Sequence, residues 1–401
     1  MRILMISDVY FPRINGVSTS IQTFRSELKA QGHEVTLIAP QYPADDKFDD
    51  DAIVRLPSRY VMFDPEDRMI KPAAMRSLRN TLRQQRFDIM HIHTPFIAHY
   101  EGLRLARRLD LPCVESYHTF FEEYLYHYIP FLPKRLLRAL ARRFSRGQCN
   151  NMDHLVVPST AMLEVLRDYG VATPATVLPT GIDMRQFENT DGMRFREKFG
   201  IEMERPLLLH VGRVAHEKNI GFLLRVVAAL RLHIPGLLFV IAGEGPAEHG
   251  LRRLAGELGI EENVRFIGYL SRDGELQDCY AAADVFVFAS RTETQGLVLL
   301  EAMACGTPVV STAVMGTGDV LEQGQGAIVV EEQVEDYVSE LRRLLEMPDL
   351  RHMLARRGRR YAAGWSSSAL ATSLSELYQA VIRQQIQNDE NYFLHIDTSN
   401  E

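Results

Sequence analysis

Two glutamates define the chemistry this chain could perform. Glu293 and Glu301 stand with seven residues between them in Thr292-Glu293-Thr294-Gln295-Gly296-Leu297-Val298-Leu299-Leu300-Glu301. Gly296 frees the backbone just ahead of a run of good helix formers, Leu297 to Cys305. Gly306 and Pro308 then stand where a helix ends and a strand begins. The spacing therefore predicts loop, short helix and strand. A helix N-terminus carries unpaired N–H groups and the positive end of the backbone dipole, so it attracts phosphate. Glu293 lies just before that end. Glu301 lies about one turn inside it, on the order of 6 Å further along the axis. One carboxylate can reach beyond a phosphate bound there and the other falls short of it. Taken alone, the pair also fits a surface helix with two solvated carboxylates.

Two cations share the pattern. Arg213 and Lys218 sit in Val211-Gly212-Arg213-Val214-Ala215-His216-Glu217-Lys218-Asn219, which follows an apolar strand and opens a helix. Fixed cations at a helix start suit a diphosphate and can stabilise charge that grows on it as a group leaves. The alternative is that they pair with neighbouring carboxylates such as Glu217. Gly243-Glu244-Gly245-Pro246 forms a turn that lets a ligand approach the backbone, although any strand-to-helix turn can look like it.

Glu293 and Glu301, with the flanking Ala302-Met303-Ala304-Cys305-Gly306-Thr307-Pro308-Val309-Val310, resemble the Glu-x7-Glu motif of retaining, nucleotide-sugar-dependent glycosyltransferases of the GT-B fold. The resemblance implies an α/β protein of two Rossmann-like domains facing across a cleft, with a last helix crossing back to the first domain. It assigns Arg213 and Lys218 to the diphosphate of the donor, and Gly296 and Leu297 to donor binding. The Gly243 loop then borders the nucleotide. Tyr269 and Leu270 correspond to the segment that meets the base, or are ordinary packing. Glu301 matches the ribose-binding carboxylate, an acceptor pair suited to vicinal hydroxyls. Glu293 matches the carboxylate that holds hydroxyls of the donor sugar. Gly16 is expected opposite the phosphates. His118, after the strand ending at Tyr117, matches a position near donor sugar and acceptor, or is a His satisfied by a backbone carbonyl. Asp8 either orients the acceptor or caps a turn. The implied catalytic set is His118, Arg213, Lys218 and Glu293. A nucleophilic Glu293 is possible in principle. The preferred mechanism reacts on one face of the sugar, with the leaving phosphate taking the acceptor proton, and needs no protein nucleophile. No cofactor is expected: the nucleotide sugar, UDP-glucose, is a substrate. His91 and His93 flank Ile92 without a third ligand, and Asp49-Asp50-Asp51 is a solvated charge run, so no metal site is expected.

The acceptor is suggested by residues 130–146. Lys134, Arg135, Arg138, Arg142, Arg143 and Arg146 are interleaved with Leu136, Leu137, Leu140 and Phe144, and no acidic residue intervenes. This is the pattern of a basic amphipathic helix lying on an anionic membrane surface. The alternative is a core-packed helix with a solvated basic face. Asn15-Gly16-Val17-Ser18, Tyr117-His118-Thr119-Phe120-Phe121-Glu122-Glu123-Tyr124 and the Glu293 loop are similar to the diacylglycerol glucosyltransferase branch. That branch implies transfer of glucose from UDP-glucose to a membrane lipid such as diacylglycerol, forming an α-glycoside. The alternatives are a mannosyl- or other hexosyltransferase acting on a polysaccharide or phosphoinositide, an epimerase on the same fold, and a non-catalytic nucleotide-sugar binder.

The elements that must position these residues follow from patterning. At 401 residues the chain is long enough for two domains. Its 46% apolar and 24% charged content is that of a globular protein. No apolar run is long enough for a spanning helix. Cys113, Cys149, Cys279 and Cys305 are too scattered for a disulfide or metal framework, which suits a reducing cytoplasm. The expected location is cytoplasmic, peripheral on the membrane face, with no nucleic-acid partner. Residues 1–182 carry 23 Lys and Arg against 20 Asp and Glu, and the remainder 22 against 32, so the halves suit different partners. Strands near 3–7, 34–39, 88–92, 113–117 and 155–158 alternate with helices near 17–31, 95–109, 134–151 and 159–169. After a link at 174–187 a second series has strands near 207–212, 237–242, 264–267, 285–289, 308–311 and 327–330. Such alternation predicts parallel sheets covered on both faces. The expected domains are 1–182 for the acceptor, 183–365 for the nucleotide sugar, a helix over 366–387 packed on the first domain, and a loose tail over 388–401.

Overall fold

The computed structural model describes residues 1–43, 50–61, 64–118 and 134–397; for 61, 64–67, 134 and 389–397 only the backbone is described. The chain forms two compact units, one of Met1–Thr180 with Ser367–Glu401 and one of Gly181–Ser366.

The first unit holds β1 (Arg2–Ile6), β2 (Glu34–Pro40), β3 (Ile53–Leu56), β4 (Ser58–Val61), β5 (Asp64–Ile70), β6 (Ile89–Ile92), β7 (Cys113–Ser116), β8 (His154–Val157) and β9 (Ala175–Val177). Seven of these form one parallel sheet in the order β3-β2-β1-β6-β7-β8-β9, and β4 and β5 form a separate antiparallel ribbon. Ile3, Leu4, Met5 and Ile6 are all fully buried, as a strand covered on both faces requires. The order reverses at the β1–β6 boundary, where a doubly wound sheet opens a crevice beyond its strand C-termini. Asp8 and His93 follow the C-terminal strand ends at that reversal, and His118 follows the neighbouring strand β7. The last helix, Ser367–Asp397, belongs to this unit: Ala371, Leu374, Tyr378 and Val381 join the core of Ile3, Met5, Phe24 and Leu28. Gln31 Nε2 donates to the Ser368 carbonyl at 2.9 Å, and Ser367 Oγ donates to Glu27 Oε1 at 2.8 Å.

The second unit has β10 (Leu207–Val211), β11 (Leu238–Ala242), β12 (Val264–Gly268), β13 (Val285–Phe288), β14 (Val309–Ser311) and β15 (Ala327–Val329), parallel in the order β12-β11-β10-β13-β14-β15. Its reversal falls between β10 and β13. Arg213 follows β10, Gly243 follows β11, Tyr269 follows β12 and Glu293 follows β13, so all lie at the C-terminal edge.

Three differences from the sequence reading stand out. The helix expected to end at 387, leaving a loose tail, continues to Asp397. The extended piece read as part of the interdomain link supplies β9, the edge strand of the first sheet. The helices Gly192–Lys198 and Pro348–Ala363, strand β3 and the β4–β5 ribbon were not anticipated. The aromatic string 119–124 and residues 130–133 lie outside the described residues, as do Asp49 and residues 398–401.

Candidate active site

The Glu-x7-Glu segment folds as its glycines require. Gly296, at φ 94°, is the N-cap of the helix Leu297–Ala304, a conformation a side chain would strain. Glu293 stands in the loop ahead of it, its carbonyl accepting from Gly316 N–H at 2.9 Å. Lys218 Nζ lies 2.5 Å from Glu293 Oε2, with both side chains about one-fifth exposed. Lys218 thus pairs across the sheet edge with Glu293, not with the adjacent Glu217. Glu301 is buried within the helix, and both its oxygens are engaged. Arg272 Nη2 donates to Oε1 at 2.5 Å, and Tyr280 Oη donates to Oε2 at 2.8 Å. The Glu301 carboxylate holds the Arg272 guanidinium above its ordinary range. Burial, then the same carboxylate, pushes the Tyr280 hydroxyl well up. Two carboxylates, each with its own cation, therefore flank the N-terminal end of one helix.

The neighbouring loops press together without side chains between them. Gly243 has φ 133°, and a Cβ there would stand 2.0 Å from the Gly212 carbonyl oxygen, so the Gly243 turn lies directly against the loop that carries Arg213. Arg213 is half-buried in that loop. Gly243 N–H donates to the Gly268 carbonyl at 2.7 Å, which brings the end of β12 alongside. Tyr269, next along, is 38% exposed, whereas Leu270 is buried in the core. Packing accounts for Leu270, and Tyr269 remains the surface member of the pair.

In the first unit, Gly16 is the exposed first residue of the helix Gly16–Ala30, and Asn15 caps it by accepting from Ser18 N–H at 2.8 Å. Nothing lies within 4 Å of where a Gly16 side chain would begin. Asp8 is buried and accepts from Ala98 N–H at 2.7 Å, from Ile70 N–H at 3.3 Å and from Thr94 Oγ1 at 3.3 Å. It fixes the start of the helix Ile97–Leu109, so the capping role is the one with contacts. Burial pushes its carboxyl up to about 6 despite those donors. Among the described residues His118 meets an imidazole: its Nε2 lies 3.5 Å from His93 Nδ1. Burial pushes His118 down to about 4. His91 is bonded on both nitrogens, to Tyr378 Oη at 2.5 Å and Ser116 Oγ at 2.8 Å. Among the described residues no group of three or more His, Cys, Asp or Glu is placed to hold a metal ion.

The helix Lys134–Cys149 turns Leu137, Ala141, Ser145 and Gln148 inward. Arg135, Arg138, Arg142, Arg143 and Arg146 face outward, and Leu136 and Leu140 stand among them at 47% and 46% exposure. The Arg142 guanidinium covers the Tyr169 ring at 5.3 Å. No helix among the described residues is long and apolar enough to cross a membrane.

Sequence reasoning missed Arg272, Tyr280 and His93. Arg272 lies in an unremarked turn and Tyr280 in a helix to which the sequence assigned no role, and only the fold brings them to Glu301.

Two parallel Rossmann-like sheets, the second with paired carboxylates and cations at its reversal point, define a glycosyltransferase of the GT-B class. Residues 193–361 match the family model described as glycosyl transferases group 1, and residues 14–186 match that of glycosyltransferase family 4. The chain is 34% identical over 317 residues to an alpha-monoglucosyldiacylglycerol synthase of Streptococcus pneumoniae, covering 78% of this chain and 71% of the relative. It is 27% identical over 392 residues to the protein of the same name from Acholeplasma laidlawii, covering 95% and 98%. The crystal structure of Anabaena HepE in complex with UDP-glucose superposes with a TM-score of 0.75 at 16% identity, covering 95% of this chain and all of that one. The chain belongs to the group 1 glycosyltransferases.

Proposed function

We propose that this enzyme transfers glucose from UDP-glucose to the free hydroxyl of a membrane lipid such as diacylglycerol, forming an α-glycoside with retention. The observation that carries the donor half is the pair of buried or half-buried carboxylates, each held by a cation, on either side of one helix N-terminus. In this reading the helix end, Arg213 and Lys218 take the diphosphate and absorb the charge that develops as the sugar departs. Glu301 accepts from the ribose hydroxyls, and Glu293 accepts from hydroxyls of the hexose. The close glycine turns at Gly243 and Gly296 let backbone N–H groups reach the donor. The leaving phosphate takes the proton of the attacking lipid hydroxyl on the same face, so neither a protein nucleophile nor a metal ion is required. Gly16 and His118 serve the donor sugar from the first domain, His118 as a neutral imidazole. The lipid half is supported by the outward-facing leucines among arginines on Lys134–Cys149 and by the acceptor named for the 34% identical relative. That helix would hold the enzyme peripherally on an anionic membrane surface.

A panel of nucleotide sugars incubated with a lipid extract tests the reading. The expected product is a monoglucosylated lipid made from UDP-glucose. Hydrolysis or epimerisation without a lipid product would replace the proposal, and transfer from GDP-mannose alone would replace the donor.

A further inference from the structure

Glu301 is held by two residues from one short stretch of chain. Arg272 lies in the turn after β12, and Tyr280 lies on the helix Glu275–Ala282. The turn is itself braced: Gln277 Nε2 donates to the Arg272 carbonyl at 3.2 Å, and Gly274 N–H donates to Gln277 Oε1 at 3.2 Å. Tyr280 is fully buried, and its carbonyl accepts from Thr307 Oγ1 at 2.6 Å. Tyr280 cannot shift without moving the core, and the turn fixes the backbone from which Arg272 reaches Glu301. A carboxylate has about four acceptor sites on its two oxygens. With one donor fixed on each oxygen, its plane is set and each oxygen keeps a free site. A buried carboxylate that lost its cation would be costly to keep in place.

We propose that Arg272 and Tyr280 are positioning residues which aim the Glu301 carboxylate so that it accepts from both vicinal hydroxyls of the donor ribose. The proposal rests on the reading that Glu301 takes the ribose. It makes the turn after β12 responsible for ribose selection as well as for meeting the base. Arg272 acts through Glu301, so its removal should be felt only by ligands that carry the ribose hydroxyls.

Calorimetry with uridine diphosphate and its 2′,3′-dideoxy analogue separates the possibilities, using the guanosine pair if the wild type binds that base instead. The wild type should prefer the hydroxylated nucleotide. Arg272→Gln should weaken it about ten-fold or more, the cost of a lost charged hydrogen bond, while leaving the dideoxy affinity unchanged. Tyr280→Phe, which removes only a hydroxyl and keeps the ring in the core, should lose part of the same preference. Arg272→Lys should recover part of what Arg272→Gln loses. Equal weakening of both nucleotides in Arg272→Gln would make Arg272 merely structural and overturn the proposal. A preference kept in Arg272→Gln and Tyr280→Phe but lost in Glu301→Gln would overturn it while leaving the ribose reading standing. A preference kept in Glu301→Gln, or a wild type that binds neither base, would overturn the ribose reading itself.

Discussion

Lys218 and Glu293 are 75 positions apart and joined by one ion pair, so neither can be altered alone. In the proposed reading, removing Lys218 withdraws a cation from the diphosphate and also releases the carboxylate assigned to the sugar. Arg213→Ala or Lys218→Ala should therefore cost roughly 2–4 kcal/mol in kcat/KM with folding preserved. The double variant Lys218→Ala with Glu293→Gln should fall short of additivity by about 0.5–3 kcal/mol. Steady-state kinetics on the four proteins measures this, and strict additivity would mean the pair does no joint work. At this scale the sequence revealed what local rules control. Glu293, Glu301 and Gly296 are legible because a loop, a positive-φ cap and a helix follow each other along the chain. Arg272 and Tyr280 are not, because their contacts with Glu301 span 29 and 21 positions and depend on how the Glu275–Ala282 helix packs. His93 looked like half of an alternating strand pattern. It reaches His118 because β6 and β7 lie side by side.

Among the elements, the helix Lys134–Cys149 was legible as basic and amphipathic, but its facing was not. Its inward side uses Leu137, Ala141, Ser145 and Gln148, at the three- and four-residue steps of one helix face. That choice leaves Leu136 and Leu140 outside with the arginines, where each cation near an anionic surface contributes about 1 kcal/mol. Arg138→Gln, Arg142→Gln and Arg143→Gln together should weaken binding to anionic vesicles at low salt and reduce lipid glycosylation in step, with nucleotide affinity unchanged. Leu136→Ser with Leu140→Ser should weaken the binding that survives at high salt. Vesicle sedimentation at two salt concentrations decides. Binding indifferent to lipid charge, salt and all five substitutions would remove this helix from the membrane account. The last helix shows the opposite error. Residues beyond 387 were read as a polar tail, yet Gln384 to Asp397 continues the helix, and Tyr392, Phe393, Leu394 and Ile396 interrupt the polar run.

For the whole molecule, alternating strands and helices specified two parallel sheets, since strands buried on both faces leave long apolar runs. Strand order and the edge strands β3 and β9 were less visible, because segments of four and three residues are too short to show a pattern. The buried polar groups make stability depend on pH. Burial holds His91 at about 3, His118 at about 4 and His210 at about 4, against 6.5 for a free imidazole. The unfolded chain therefore binds more protons below that value. The stability these residues contribute is complete above pH 6.5 and is lost as pH falls toward their folded values. Asp8 acts in reverse: raised from 3.8 to about 6, its contribution is complete below 3.8 and lost as pH rises through 6. Three imidazoles outweigh one carboxylate, so the melting temperature should fall between pH 7 and pH 5, and His91→Gln should shrink that fall. A melting temperature that is level or rises over this interval would contradict the burial argument.

In the proposed reaction, glucose moves from UDP-glucose to a lipid hydroxyl with retention, assisted by protein cations alone. The most direct test incubates the purified enzyme with UDP-glucose and diacylglycerol in anionic vesicles containing EDTA. The product is then isolated, weighed by mass spectrometry and assigned its anomeric configuration from the proton coupling at C1. The account predicts a monoglucosyl diacylglycerol in the α configuration, formed at the same rate with and without the chelator. A β-glycoside, or activity that vanishes in EDTA and returns with manganese or magnesium, would contradict it.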